Sequence, residues 1–120
     1  KDEQTSADVA NVASFGLPVD AGPGGAGGAC TNSIIKAFDE KSDHSWISLL
    51  ERMRTILKQK RYTQIPQLSS SHEKDMKDMF SVCNKNPSGR YKALMIGINY
   101  AGSSSALKGC HNDVETMRRF

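Results

Sequence analysis

Six large apolar residues in the middle of the chain repeat at one spacing. Trp46, Leu49, Leu50, Met53, Ile56 and Leu57 stand at i, i+3, i+4, i+7, i+10 and i+11. That spacing lines one face of an α-helix and leaves the other face polar. Such a helix is stable only if something packs on its stripe, so the chain has to bring other apolar elements to it. Ser42, Asp43 or Ser45 supplies a cap at its start, and the helix is predicted to end near Lys60. Lys58, Lys60 and Arg61 suit the negative end of the helix dipole. The basic residues between Arg52 and Arg61 therefore read as the solvated face of this helix. Aromatic residues do not interleave with them as a base-stacking surface requires, so no nucleic-acid partner is predicted.

The rest of the chain offers modest material for a core. Only 38% of its 120 residues are hydrophobic, and the first 30 positions contain almost no apolar run. A complete, well-buried core from these residues alone is not expected. No apolar run reaches membrane-spanning length, so no membrane partner is predicted. Cys30, Cys83 and Cys110 are odd in number and fit no zinc spacing. A reducing, cytoplasmic compartment is the expectation.

Residues 1–20 read as loop, with Gly16 and Pro18 as breakers, and Gly22 to Gly28 as a glycine-rich loop. Its GPGGAGG formally matches a dinucleotide fingerprint, but no convincing strand precedes it and no P-loop lysine follows. Thr31 to Asp39 is predicted helical, with Ile34, Ile35 and Phe38 on one face and Thr31 or Asn32 as cap. Tyr62 to Ser69 reads as a short strand, demoted to an edge or bulge by Pro66. Polar residues follow, with a turn signal at Asn86-Pro87-Ser88-Gly89. Tyr91 to Asn99 (YKALMIGIN) is a continuous apolar run suited to a buried strand of a parallel sheet. After a loop, a helix is predicted to start with Asn112 as cap and Glu115 completing a capping box. Val114 and Met117 open its apolar face, and the chain stops at Phe120 within that pattern, as a truncated element would.

Pairs that resemble catalytic dyads are weak. His72 and Cys83 lie in polar sequence with nothing to exclude water. Cys110 and His111 are neighbours whose side chains diverge at a helix start. With Asp113 they still lack a fourth metal ligand. Asp113 itself has two readings. It sits in the first turn of a helix that follows a predicted strand and loop, the place where open α/β sheets hold ligands. There it is either a receptor for a cationic group, arginine above all, or a residue that merely complements the helix dipole.

Two stretches of sequence bear a family resemblance. YKALMIGINYAGSSSALKGCHNDVETM (91–117) resembles the opening of the metacaspase large-subunit region, with its IGINY strand and L-x-G-C-x-N-D-V helix start. DEQTSADV (2–9) resembles the D-x-Q-T-S-A-D element of the small-subunit region. GGACTNSIIKAF, SWISLLERMRTILKQKRY and YTQIPQLSSSH resemble the parts that follow it. The resemblance implies a small-subunit-like region over 1–80, a linker over 81–90 and the start of a large-subunit-like region over 91–120. That order resembles the rearranged third type of metacaspase described from algae; a tandem array would look the same.

The resemblance further implies an α/β fold, a caspase-like α/β sandwich with a mainly parallel sheet, incomplete in this chain. It implies a cysteine endopeptidase cleaving after Arg or Lys, monomeric when complete. The His-Gly and Asp-Cys motifs of its dyad are expected outside these residues, as are the aspartates that bind activating calcium in many members. No cofactor is expected in the chain itself, and the chain alone is expected to be inactive. Cys110 and Asp113 carry over as lining of the primary specificity pocket, with Asp113 receiving the substrate cation. Gln4 to Asp8 is expected near the same site, and Lys85 and Arg90 offer places for self-cleavage. From another class, the residues also admit a non-catalytic caspase-like module that binds a partner.

Overall fold

A computed structural model of the chain describes residues 7–9, 26–82 and 88–120. Gly16, Pro18, Cys83, Lys85 and the Asn86-Pro87 turn signal lie outside the described residues. The elements are strands β1 (Asp8–Val9) and β2 (Gly27–Gly28) and helices α1 (Ala29–Glu40), α2 (Trp46–Gln59) and α3 (Cys110–Arg119).

The apolar stripe builds α2 as its spacing predicts. Leu49, Met53, Ile56 and Leu57 are buried, and Trp46 and Leu50 are half-buried at its edge. Ser45 is the cap: its Oγ accepts the Ser48 N–H at 3.2 Å. A helix start leaves further N–H groups without partners. Here residues 76–80 supply them. The Trp46 N–H donates to Asp78 O at 3.1 Å and the Ile47 N–H to Met76 O at 2.9 Å. The Phe80 N–H returns a bond to His44 O at 2.7 Å. Polar sequence read as connecting chain is thus seated on the start of α2.

Helix α1 packs across α2 through its smallest residues. Ala29, Ser33 and Ala37 are buried, whereas the predicted face of Ile34, Ile35 and Phe38 is half-buried around them. Small side chains let the helices approach closely, and the larger ones then close the sides of the contact. The buried His44 joins the two helices. Its Nε2–H donates to Ala37 O at 3.0 Å, and its ring meets Phe38 edge-on at 5.3 Å. Neither Thr31 nor Asn32 caps α1. Gly28 holds that place, and the Asn32 Nδ2 donates back to Gly28 O at 2.8 Å.

Residues 7–9 and 27–28, read as loop, instead pair as a short antiparallel ladder, Asp8 opposite Gly28 and Val9 opposite Gly27. The Ala29 N–H continues it to Ala7 O at 2.9 Å. Val9 is thereby buried against the α1–α2 core.

Both predicted strands are absent. Tyr62 to Ser69 forms no ladder; it is held to α2 by the Arg54 Nε, which donates to Pro66 O at 3.0 Å. Tyr91 to Asn99 forms none either, and Leu94 and Ile96 are 86% and 73% exposed. An apolar strand is stable only between neighbours that take its backbone bonds and cover its faces. The described residues contain no such neighbours.

Candidate functional site

Three segments that are far apart in sequence meet where β1 and β2 touch the start of α3. The helix begins two residues before the predicted cap: Gly109 is the N-cap and Cys110 the first helical residue. Asn112 is therefore inside the first turn. It is buried, and its Nδ2 donates to Ala26 O at 2.9 Å, so it ties α3 to the chain entering β2. Glu115 makes no capping box. It pairs with Arg118 and Arg119 at 2.8 and 2.9 Å, and these bonds hold its carboxyl down at about 2.

Asp113 lies in the first turn of α3, as its position in the sequence predicts. Its two carboxylate oxygens accept the Gly28 N–H at 2.8 and 2.9 Å, and the Thr31 side chain also bonds it. The group is half-buried. Burial pushes its pKa above the ordinary carboxylate value. The bonds from Gly28 and Thr31 pull it back, and the charge of nearby Asp8 pushes it up again. A carboxylate offers about four acceptor sites, so the group has room for a further donor beside Gly28 and Thr31.

Asp113 and Cys110 both line a cavity of about 530 Å³. Thr31 of α1 forms part of its wall, and Met95, Ile98, Val114 and Met117 give it an apolar side. A half-buried carboxylate in an apolar cavity suits a ligand with an aliphatic stem and a cationic head. Cys30, one residue before Thr31, has a free thiol pushed above its ordinary pKa by burial and then by the Asp113 charge. That makes it a weak nucleophile.

The other sequence candidates are not part of this arrangement. His72 is exposed and bonds its neighbour Ser71 at 2.8 Å. His111 is exposed, with its backbone N–H on Asn99 Oδ1 at 3.3 Å. Among the described residues no group of three or more His, Cys, Asp or Glu is placed to hold a metal ion. No helix among them is long and apolar enough to cross a membrane.

Asp8 is the site residue that reasoning from residue chemistry missed. Of the stretch from Gln4 to Asp8, Ala7 and Asp8 are described. Asp8 Oδ2 accepts the Lys108 N–H at 2.9 Å. The resemblance of residues 2–9 to a family element was the one signal pointing there.

The chain also matches known protein families and proteins. Residues 1–77 match the caspase domain family, and residues 91–120 match the metacaspase peptidase C14 domain. The chain is 45% identical to Metacaspase III c of Phaeodactylum tricornutum over 125 aligned positions, 98% of this chain and 36% of that protein. It is 46% identical to Metacaspase-3 of Trypanosoma brucei brucei over 81 residues, 68% of this chain and 22% of that protein. Metacaspase-1 of Scheffersomyces stipitis is 45% identical over 80 residues, 67% of this chain and 17% of that protein. The chain thus spans about a third or less of the length of these relatives. No solved structure matches it. With the caspase-domain model covering more than half its length and metacaspases among its relatives, the chain belongs to the caspase-domain family and, within it, to the metacaspases.

Proposed function

We propose that the protein is a cysteine endopeptidase that cleaves after Arg or Lys, and that Asp113 receives the substrate cation. The observation that carries this reading is the half-buried Asp113 carboxylate lining an otherwise largely apolar cavity beside Cys110. An arginine side chain would lay its methylenes against Met95 and Ile98 and present its guanidinium fork to the carboxylate. An acidic residue at the same position would meet the like charge of Asp113 and be disfavoured.

None of His44, His72 and His111 precedes a glycine, and none of Cys30, Cys83 and Cys110 follows an aspartate. The proposal assigns the His-Gly and Asp-Cys motifs of the dyad to polypeptide outside residues 1–120. There the thiolate would add to the scissile carbonyl carbon. The imidazole, having taken the thiol proton, would pass it as imidazolium to the departing amine, and water would then release the acyl group and restore the thiol. Residues 1–120 supply substrate selection and are inactive alone. The proposal includes small-subunit-like sequence over 1–80, a linker over 81–90 and large-subunit-like sequence from 91, in a caspase-like α/β sandwich. In its mainly parallel sheet, 91–99 would gain neighbouring strands. One colinear match over 98% of the chain supports this order as that of a single rearranged protein.

Two results are expected from the full-length polypeptide. First, Asp113→Ala lowers kcat/KM on fluorogenic Arg and Lys peptides about a hundredfold, mostly through KM. An unchanged KM would reject Asp113 as receptor. Full-length protein that cleaves no basic peptide, with or without calcium, would leave a partner-binding module in place of an enzyme. Second, pH acts through the same group. The cation is bound by the ionised form, and the folded protein raises the pKa. So kcat/KM on basic peptides falls as pH drops through a value above the ordinary carboxylate one. That acidic limb is absent in Asp113→Asn. A limb common to both proteins would assign the titration to another group.

A further inference from the structure

Asp8 and Asp113 are 105 positions apart, yet a closed circuit of bonds connects them. The Asp8 side chain accepts the Lys108 N–H at 2.9 Å, and its other oxygen lies against Gly109. Gly109 O accepts the Asp113 N–H at 2.8 Å, the bond that closes the first turn of α3. The Asp113 carboxylate then takes the Gly28 N–H, and Gly28 is the ladder partner of Asp8. Each link fixes the next, and Asp8 both begins and ends the circuit. Its own side chain is exposed and is not among those lining the cavity.

We infer that Asp8 is a positioning residue for substrate selection, acting through the Lys108–Gly109 turn to hold the Asp113 carboxylate in place. The inference rests on the reading that Asp113 receives the substrate cation. Asp8 acts here as a hydrogen-bond acceptor at one point in space, and its charge works against the neighbouring carboxylate. A neutral acceptor of the same shape should therefore serve as well. A misplaced receptor costs binding to the one substrate group that needs it.

The test uses full-length enzyme carrying D8N, D8A or D8E, assayed on paired peptides with arginine or its neutral isostere citrulline at the cleavage position. D8N keeps an acceptor oxygen in place, and its kcat/KM on the arginine peptide is expected within about threefold of wild type. D8A removes the acceptor and is expected to raise KM on that peptide about tenfold, with kcat within about threefold. The preference for arginine over citrulline falls with it. D8E keeps the charge but moves the acceptor, and is expected to follow D8A, which covers the case in which D8A does not fold. Equal losses on both peptides would show a general loss of structure and overturn the inference. So would D8N falling as far as D8A, which would make the charge itself the contributor. If D113N left the arginine preference intact, the receptor reading would fail instead.

Discussion

Replacing Leu57 by alanine should destabilise the full-length protein by about 3 kcal/mol. Leu57 is 0% exposed and belongs to the cluster formed with Val9, Ala29, Ala37, Leu49, Met53 and Ile56. The change removes the buried methyl groups and leaves a cavity. Its neighbours cannot collapse into it, because α1 already meets α2 through alanine and serine side chains. The backbone at this point is also held: the Tyr62 N–H donates to Leu57 O at 3.0 Å where the chain leaves the helix. On the exposed face of the same helix, Glu51→Ala should change stability by no more than about 0.5 kcal/mol. Urea unfolding of the two variants beside wild type decides this. Equal effects would mean that the α1–α2 contact does not form as described.

The second large effect is expected at Gly109. Its backbone angles, φ −99° and ψ −18°, are open to any residue, so the constraint is space alone. An added Cβ would stand 2.6 Å from Gly27 Cα and 2.8 Å from Gly27 C, and also against Asp8 Oδ1. Backbone cannot step aside as a side-chain tip does. Gly109→Ala should therefore push β2 away from α3, strain the Lys108 bond to Asp8 and cost about 2 to 3 kcal/mol. Gly102 makes a useful contrast. Its φ of +81° disfavours alanine, but nothing lies within 4 Å of the added carbon. Gly102→Ala should cost about 1 kcal/mol and leave the arginine preference unchanged. Thermal unfolding measures the first difference and the paired peptides the second. A Gly109→Ala protein with wild-type stability and preference would show that β2 and α3 are not in this contact.

Sequence alone determined the elements whose signal is local. The α2 stripe repeats with the helical period, Ser45 stands where a cap is needed, and the first turn of α3 contains Asp113. Each follows from interactions within a few residues of chain. Family membership was legible for a related reason, since the GCHNDV helix start and the QTSADV element are short runs of contiguous residues.

Tertiary structure decided what depends on distant partners. Asp8–Val9 and Gly27–Gly28 look like loop because a two-residue ladder has no period to detect; it forms because each strand finds the other. Asn112 looks like a cap but is drawn inside the helix, because Ala26 O offers its amide a buried partner. Tyr91 to Asn99 has the composition of a buried strand, yet composition cannot supply the neighbours that would take its backbone bonds. The meeting of Asp8, Gly28 and Asp113 was beyond any local reading. It arises from α1 packing on α2, which carries β2 to the start of α3 and lets one carboxylate from each end of the chain bond the other end's backbone.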